Sequence, residues 1–493
     1  MPGLRQHLAQ LTTPKILEYG FIAIMVLSVV AYFVSSAAIT RLQGAASGIG
    51  DKAKPAVVIA EKLSVMLADM DAQITDSSLG SGQGWSRYLT DVDSAVAATT
   101  EANRAVQDDD PEAESLRKVQ QKLRSYYQLI GGSSVTSPEV FVSNEQLAKT
   151  TTLWASRTMR QEIIAPAQNA ALIATGKLVD AYAEFRRYAG LSTAIALFVM
   201  AALLAVLVAL QMFITRRTRR LVNLPLFLAS LSVIGFIGWF FYTVETGRAA
   251  MLTANEIAFD DLQALYRAKV TAYLMKADES MWLFELRKAR FEQRRLRAFY
   301  AHSFSDAAQQ LIDVANVAQY PAAIVEGHSF ADPVDHAALD AVRVGLDAAA
   351  KLRAAGRFDE AAKLAPEIHG ILGTELQHFA AAETEWKAAY EAAAYLLRYL
   401  EIDRRIRDTA LTDSRDKAVQ LSIGGGEDGA TWAFSRMDAA LDRMIAIDNA
   451  AFDSRFGTMM QNLATLPPIL GTVLILTALL SGWGAWQRYR EYR

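Results

Sequence analysis

A glycine-rich stretch in the last quarter of the sequence has residue types that could bind a dinucleotide. Residues 424–429 read Gly-Gly-Gly-Glu-Asp-Gly, which matches the spacing G-x-G-x-x-G. This fingerprint binds a pyrophosphate only where a strand turns tightly into a helix within a βαβ unit. Because no β-branched strand pattern precedes the stretch, we interpret it as a loop between two helices.

Other patterns that support catalysis or metal binding are missing from the sequence. None of the histidines forms a His-Glu-x-x-His pair, and the acidic run Asp108–Asp110 lacks the alternating spacing and glycine of a calcium loop. There is no G-x-S-x-G elbow, no phosphate-binding Gly-Lys-Ser/Thr and no kinase signature. The chain also lacks cysteine, which excludes disulfides and thiolate chemistry. We therefore predict no enzymatic activity, no cofactor, and no catalytic or metal-binding residue.

The charge balance argues against a nucleic-acid partner. The 493 residues include 50 Lys plus Arg and 53 Asp plus Glu, and no large segment has a concentrated basic face. Phosphate binding depends on such a face. Nucleic acid is therefore disfavoured as a ligand.

Four apolar stretches are long enough to cross the hydrocarbon core of a membrane, which takes about 20 helical residues. They are residues 16–39, 191–214, 224–243 and 467–486. The small residues Ser35–Ala38 would also suit the cleavage site of a secretory signal, but the first apolar run is longer than a usual signal core. We therefore expect the first stretch to be an anchor, and four transmembrane helices in all.

Positive charge near the spans predicts their orientation, because Lys and Arg in short loops stay on the cytoplasmic side. The residues 1–15, 215–223 and 487–493 are expected to be cytoplasmic, whereas segments 40–190 and 244–466 are expected to lie outside the cytoplasmic membrane. The arginines that mark the cytoplasmic side also form the candidate contact with a protein partner or with lipid: Arg216, Arg217, Arg219, Arg220, Arg488, Arg490 and Arg493. A topology signal, anionic lipid and a protein partner all remain open as explanations.

The spans themselves lack the ionisable residues that transporters keep near mid-membrane. Ala201, Ala205 and Ala209 instead place small side chains on one stripe of the second span. Such stripes let helices approach closely in lipid. We predict that this stripe packs against another helix, and self-association into a homo-oligomer is left open.

The two outer segments have helical patterns throughout, which predicts an all-α membrane protein with two extracytoplasmic helical bundles. The first helix of the first bundle is expected to end at Gly80, Gly82 and Gly84, and Asp110-Pro111-Glu112 is a strong helix start. Pro166 is expected to bend the last helix. In the second bundle, one long helix is expected from the third span to about Phe299.

Further helices of the second bundle are expected to be broken near Pro321, Pro333 and Gly356, and another long helix is expected over Glu375–Ala410. The first helices of the two bundles share a weak sequence echo. Leu67-Ala68-Asp69-Met70-Asp71-Ala72 corresponds to the stretch Leu274-Met275-Lys276-Ala277-Asp278-Glu279-Ser280. This echo favours an internal duplication.

The chain resembles two kinds of bacterial membrane protein. The first bundle resembles the sensor bundle of chemoreceptors. Several short motifs support a second resemblance, which covers the whole chain in layout: Met66–Ala72, Trp154–Ser156 through Pro166–Ala167, Ala277–Ser280, Phe358–Ala361, Phe434–Leu441 and Trp486–Arg493. In these motifs and in layout, the chain is similar to the actinobacterial four-span family that links an extracytoplasmic glutamine-binding lipoprotein to cytoplasmic protein kinase G. The resemblance implies amino-acid-responsive signalling through protein partners on both sides of the membrane, with no catalytic residue.

The sequence does not define a ligand site. Tyr126, Trp154, Arg157 and Arg160 could hold an amino-acid carboxylate, but core packing and surface solvation explain these residues equally well. The predicted function is a sensor that relays an outer binding event to a cytoplasmic partner by helix repacking. The alternative is a structural scaffold or an accessory subunit of an oligomeric membrane complex.

Overall fold

The computed structural model describes residues 13–80, 82–105, 110–132, 145–218, 223–253, 259–286, 291–313, 334–358, 360–361, 370–378 and 383–491. The regular structure of these residues is helical. The first half contains helices α1 (Thr13–Ser47), α2 (Lys54–Ser78), α3 (Gly82–Ala105), α4 (Pro111–Gly132), α5 (Glu145–Thr158) and α6 (Ala165–Thr218). The second half contains α7 (Leu224–Thr253), α8 (Asp260–Glu285), α9 (Phe291–Leu311), α10 (His336–Ala354), α11 (Ile371–His378), α12 (Glu383–Thr412), α13 (Arg415–Ile423) and α14 (Ala430–Glu491).

Four helical stretches are long and apolar enough to cross a membrane, which confirms the predicted fold class of an all-α membrane protein. They are Leu17–Ser78, Thr151–Arg216, Leu224–Met251 and Ala430–Gln487. A membrane crossing takes only about 20 helical residues. Three of the four stretches are much longer than that, and their remaining residues include many polar side chains.

The chain divides into two compact units, which we call the span unit and the domain unit. The span unit gathers Met1–Lys54, Lys177–Asn255 and Asp453–Arg493. The domain unit gathers Pro55–Gly176, here the first segment, and Glu256–Phe452, here the second segment. The two segments thus build one compact unit.

Small polar side chains join helices inside the span unit. The Ser192 hydroxyl donates to the carbonyl oxygen of Ala38 at 3.0 Å, and the Asn223 amide donates to the carbonyl oxygen of Gly484 at 3.2 Å. Such bonds, together with small residues, are common means of helix association in lipid. The predicted alanine stripe does not take part, because Ala201, Ala205 and Ala209 are all exposed on α6. Its packing against another chain stays a prediction.

Within the described residues, two π-helical segments are each followed by a proline at the second position of the next α-helix. Gly48–Ala53 precedes Pro55 in α2, and Met159–Ile164 precedes Pro166 in α6. Proline inside a helix removes a backbone donor and clashes with the preceding turn, so an irregular turn before it is expected. Where a bend at Pro166 was predicted, the structure has a π-helical segment that ends two residues before it.

The predictions for one helix end, one helix start and one loop between helices are confirmed. Helix α2 ends at Ser78, and Gly80 adopts a φ of 106° just beyond it. The Asp110 carboxylate accepts from the backbone N–H of Glu112 at 3.0 Å and begins α4. Residues 424–429 connect α13 to α14, so a helix rather than a strand precedes the glycine-rich stretch.

The prediction of one long helix from the third span to Phe299 is wrong. Helix α7 ends at Thr253, α8 ends at Glu285, and α9 begins at Phe291. The sequence after α8 contains no Gly or Pro, but residues 287–295 include five Lys and Arg. Such a basic stretch cannot continue the fully buried end of α8 without partners. The predicted helix Glu375–Ala410 is likewise divided between α11 and α12, and the expected breaks at Pro321 and Pro333 lie outside the described residues.

Gly370, which begins the turn into α11, offers a test of this packing. Its φ is 91°, and a Cβ added there would lie 2.8 Å from the Cα of Ile312 and 2.8 Å from the carbonyl oxygen of Leu311. We expect Gly370→Ala to lower the free energy of unfolding by roughly 1–3 kcal/mol, because strained backbone and a backbone clash combine. Thermal unfolding in detergent measures the loss. Gly425→Ala, which meets nothing within 4 Å, is the control, and equal melting of both variants would contradict the packing.

Candidate functional site

The C-terminal part of helix α8 is buried on all sides although it contains several charged residues. Every residue from Met275 to Glu285 is buried, including Lys276, Asp278 and Glu279. A helix that is buried all round is normally apolar, and buried charges are costly unless they are paired. The partners of these side chains therefore define the most constrained site in the described part of the domain unit.

Arg160 joins Asp278 of α8 to Asp71 of α2. Its Nε donates to Asp71 Oδ2 at 2.7 Å, and its Nη1 donates to Asp278 Oδ1 at 2.6 Å. Its Nη2 also approaches the carbonyl oxygen of Leu274 at 3.4 Å. Both aspartate side chains are fully buried, with 0% exposure. One guanidinium thus pairs with a carboxylate from each segment, which its planar fork of five N–H donors makes possible.

The electrostatics of this cluster keep the guanidinium charged. Burial by itself would lower the pKa of Arg160, but Asp278 and Asp71 together raise that pKa above its ordinary value. Burial raises the pKa of the Asp278 carboxyl, and Arg160 opposes that effect. Removing Arg160 would therefore leave two buried carboxylates without their cation, which costs far more than losing an exposed ion pair.

A second set of contacts joins the same two helices. Asp76 of α2 accepts a hydrogen bond from the Ser280 hydroxyl at 2.5 Å and lies 3.1 Å from the Lys276 amino group. The Lys276 amino group also donates to the Thr431 hydroxyl of α14 at 3.0 Å. The first segment therefore supplies two charged partners to α8, Arg160 and Asp76, and its Asp71 shares Arg160 with Asp278. The first segment thus contributes Asp71, Asp76 and Arg160. We call these three residues, with Lys276 and Asp278, the charge cluster.

A different group of carboxylates lies in the second segment. Glu375 of α11 is fully buried, and neither of its carboxylate oxygens has a hydrogen-bond partner among the described residues. Burial, with the negative charges of Asp261 and Asp448, raises the pKa of Glu375 to about 9. Glu375 is therefore protonated at neutral pH. Within the described residues, no group of three or more His, Asp or Glu side chains could hold a metal ion.

The structure brings together only part of the predicted carboxylate-binding set. The rings of Tyr126 and Trp154 stack with centroids 6.5 Å apart. Arg157 is exposed and donates to the Gln161 side chain at 3.2 Å. Arg160 is engaged by the two aspartates of the chain itself, so its guanidinium is not available to a free amino acid in this conformation.

The predicted cytoplasmic arginines are described only in part. Arg216 is exposed at the end of α6, and the Arg490 guanidinium lies 4.7 Å from the ring centroid of Trp486. The side chains of Arg217 and Arg488, and all of Arg219, Arg220 and Arg493, lie outside the described residues. Their role in binding a partner or lipid stays a prediction.

Asp76 and Glu375 were not predicted from the sequence to have a functional role. Asp71 and Asp278 were singled out only within the sequence echo and the family motifs, and in the echo both stand four residues after a leucine. The echo was a usable signal, because it marked the two aspartates that share Arg160.

The comparison with known families falls on this region. Residues 45–183 match the model of an actinobacterial sensor domain, which indicates a sensor and includes Asp71, Asp76 and Arg160. The match covers less than a third of the chain and supports the sensor resemblance at that coarse level. No curated protein and no solved structure is significantly similar to the chain.

The protonated Glu375 predicts a pH dependence of stability. Its folded pKa of about 9 lies above the ordinary 4.5, so its contribution to stability is full below about pH 4.5 and is lost as the pH rises through 9. Glu61 and Glu279, whose pKa values burial raises to about 7, act with the same sign at lower pH. Between pH 7 and 9, we expect the free energy of unfolding to fall by at most about 1.4 kcal/mol per pH unit through Glu375.

Glu375→Gln should flatten this slope between pH 7 and 9 and reduce it between pH 4.5 and 7, where the contributions of Glu61 and Glu279 remain. Chemical unfolding at each pH measures the effect, and Glu427→Gln, a change at an exposed loop residue, is the matched control. An unchanged slope in the Glu375→Gln variant would contradict the assignment.

Proposed function

We propose that the protein is a transmembrane sensor that relays an extracytoplasmic binding event to a cytoplasmic partner by repacking of its helices. One observation carries the proposal. The sensor-domain match runs from residue 45, inside α1, to residue 183, inside α6. These are two of the helices whose apolar windows could cross a membrane. The sensor sequence and two spans therefore share the same continuous helical stretches.

The mechanism follows from this continuity. A ligand shifts an equilibrium between two helix arrangements only by its differential affinity for them. Helices that begin in the sensor region and continue through a span transmit such a shift without a separate linker. The hairpin at residues 215–223 is too short to fold into a catalytic domain, so another protein would read the change. We accordingly propose that the chain itself is not an enzyme.

The proposed orientation places both predicted outer segments on the extracytoplasmic side of the cytoplasmic membrane. The clustered arginines from Arg216 to Arg220 favour a cytoplasmic hairpin. The resemblance to the four-span actinobacterial family supports an amino-acid-linked signal, an extracytoplasmic binding lipoprotein and a cytoplasmic kinase as partners.

Single-cysteine labelling tests the orientation cleanly, because the chain has no cysteine of its own. We expect Val344→Cys and Gly425→Cys, both at exposed positions, to react with a membrane-impermeant maleimide in intact cells. Gln487→Cys, exposed near the end of α14, should react only after the membrane is permeabilised. The reverse pattern would rule out an extracytoplasmic sensor.

The sensor role is tested with purified full-length protein and with native membranes. We expect L-glutamine or L-glutamate, alone or with a copurifying binding protein, to raise the melting temperature, because a ligand that binds only the folded state stabilises it by mass action. Affinity purification should recover a cytoplasmic kinase-like chain or adaptor. The scaffold would be favoured instead if none of these additions changed the melting temperature and if the purification recovered only identical copies in fixed stoichiometry.

A further inference from the structure

We propose that Arg160 is a positioning residue that couples the two segments of the domain unit, so that a rearrangement of the first segment moves α8 of the second. This inference rests on the proposed sensor function and names the contact by which the signal passes between segments. Among the described contacts, Arg160 is the residue whose single side chain bonds to a fully buried carboxylate in each segment.

The cost of separating the segments supports this role. If α2 and α8 moved apart, Arg160 could stay with only one aspartate, and the other would become an unpaired charge in the interior. Asp71 and Asp278 are both fully buried, so water cannot replace the lost partner without opening the site. The segments must therefore move together or adopt a second arrangement in which both charges are again paired.

The two aspartates that bind Arg160 occupy matching positions of the sequence echo. Asp71 stands four residues after Leu67, and Asp278 stands four residues after Leu274, in matching stretches. The structure places these two equivalent aspartates on the same guanidinium. One arginine therefore pairs with both of these aspartates.

The arginine gives the contact a direction. Arg160 and Asp71 belong to the first segment, and Asp278 belongs to the second. The first segment thus reaches into the second through the side chain of Arg160.

The backbone conformation at Arg160 is consistent with a positioning role. Arg160 belongs to the π-helical segment Met159–Ile164, between α5 and α6. A π-helical turn shifts the helical register of everything that precedes it and is frequent at functional sites. In this position, the register sets where the guanidinium meets Asp71 and Asp278.

Hydrogen exchange in the purified full-length protein tests the coupling. Asp110→Ala removes the helix-start contact of α4 in the first segment, which typically lowers protection about fivefold. In the native background, we expect exchange in α8 to accelerate by a similar factor, because the segments are coupled. In the variant Arg160→Met with Asp71→Asn and Asp278→Asn, which removes the arginine and both buried carboxylates together, Asp110→Ala should accelerate exchange in α8 by much less than this factor. The contacts of Asp76 with Lys276 and Ser280 still join α2 to α8 in this variant.

Neutralising the exposed pair of α10, by Arg343→Met with Asp340→Asn, is the matched control and should leave the transmission intact. Undiminished acceleration of exchange in α8 of the triple variant would overturn the proposal. If the triple variant fails to fold, the effect of Asp110→Ala on exchange in α8 is measured in Arg160→Lys and is expected to be smaller there. An ammonium keeps the positive charge but lacks the planar set of N–H donors by which the guanidinium reaches both carboxylates. Undiminished transmission in Arg160→Lys would then overturn it.

This experiment is independent of any ligand or partner. Loss of coupling in the variants would stand even if the sensor test failed. Likewise, retained coupling would overturn the role of Arg160 and leave the proposed function untouched.

Discussion

A single guanidinium between two buried carboxylates is the interaction on which the domain unit depends. Helix α8 carries Lys276, Asp278 and Glu279 into an interior where an unpaired charge would not be tolerated. In the first segment, Arg160 pairs with Asp278 and Asp76 pairs with Lys276. In α14, the Thr431 hydroxyl accepts a hydrogen bond from Lys276. The all-round burial of α8 is therefore compatible with its sequence only when both segments are folded against it.

The sequence predicts those parts of the fold that local physics or the membrane determines. The spans follow from hydrocarbon thickness, which fixes the length and apolar character of a crossing helix. Asp110 and Gly80 act through their own neighbours, so their roles can be read within a few residues. The end of α8 at Glu285 is different, because no Gly or Pro marks it and the burial that stops the helix comes from distant segments.

The partners within the candidate site could not be predicted from the sequence either, because they are distant along the chain. The sequence analysis singled out Arg160 as a residue suited to a carboxylate, and that chemistry is present, but the carboxylates belong to the chain itself. Asp71 and Asp278 stand 89 and 118 residues away from Arg160 along the chain. The side chain of an arginine does not distinguish a free amino acid from an aspartate, so only the three-dimensional fold could identify the partner.

Glu375 is neutralised in a different way from Asp71 and Asp278, and the difference explains why Arg160, and not the proton on Glu375, can couple the segments. Glu375 is neutralised by a proton, because burial and the negative charges of Asp261 and Asp448 raise its pKa, and all three residues belong to the second segment. A proton satisfies one carboxyl group and imposes no geometry on another helix. A guanidinium has fixed directions for its N–H groups, and Arg160 uses them to hold carboxylates from both segments at once. Charge neutralisation by arginine therefore carries positional information from the first segment to the second, which a proton on Glu375 does not.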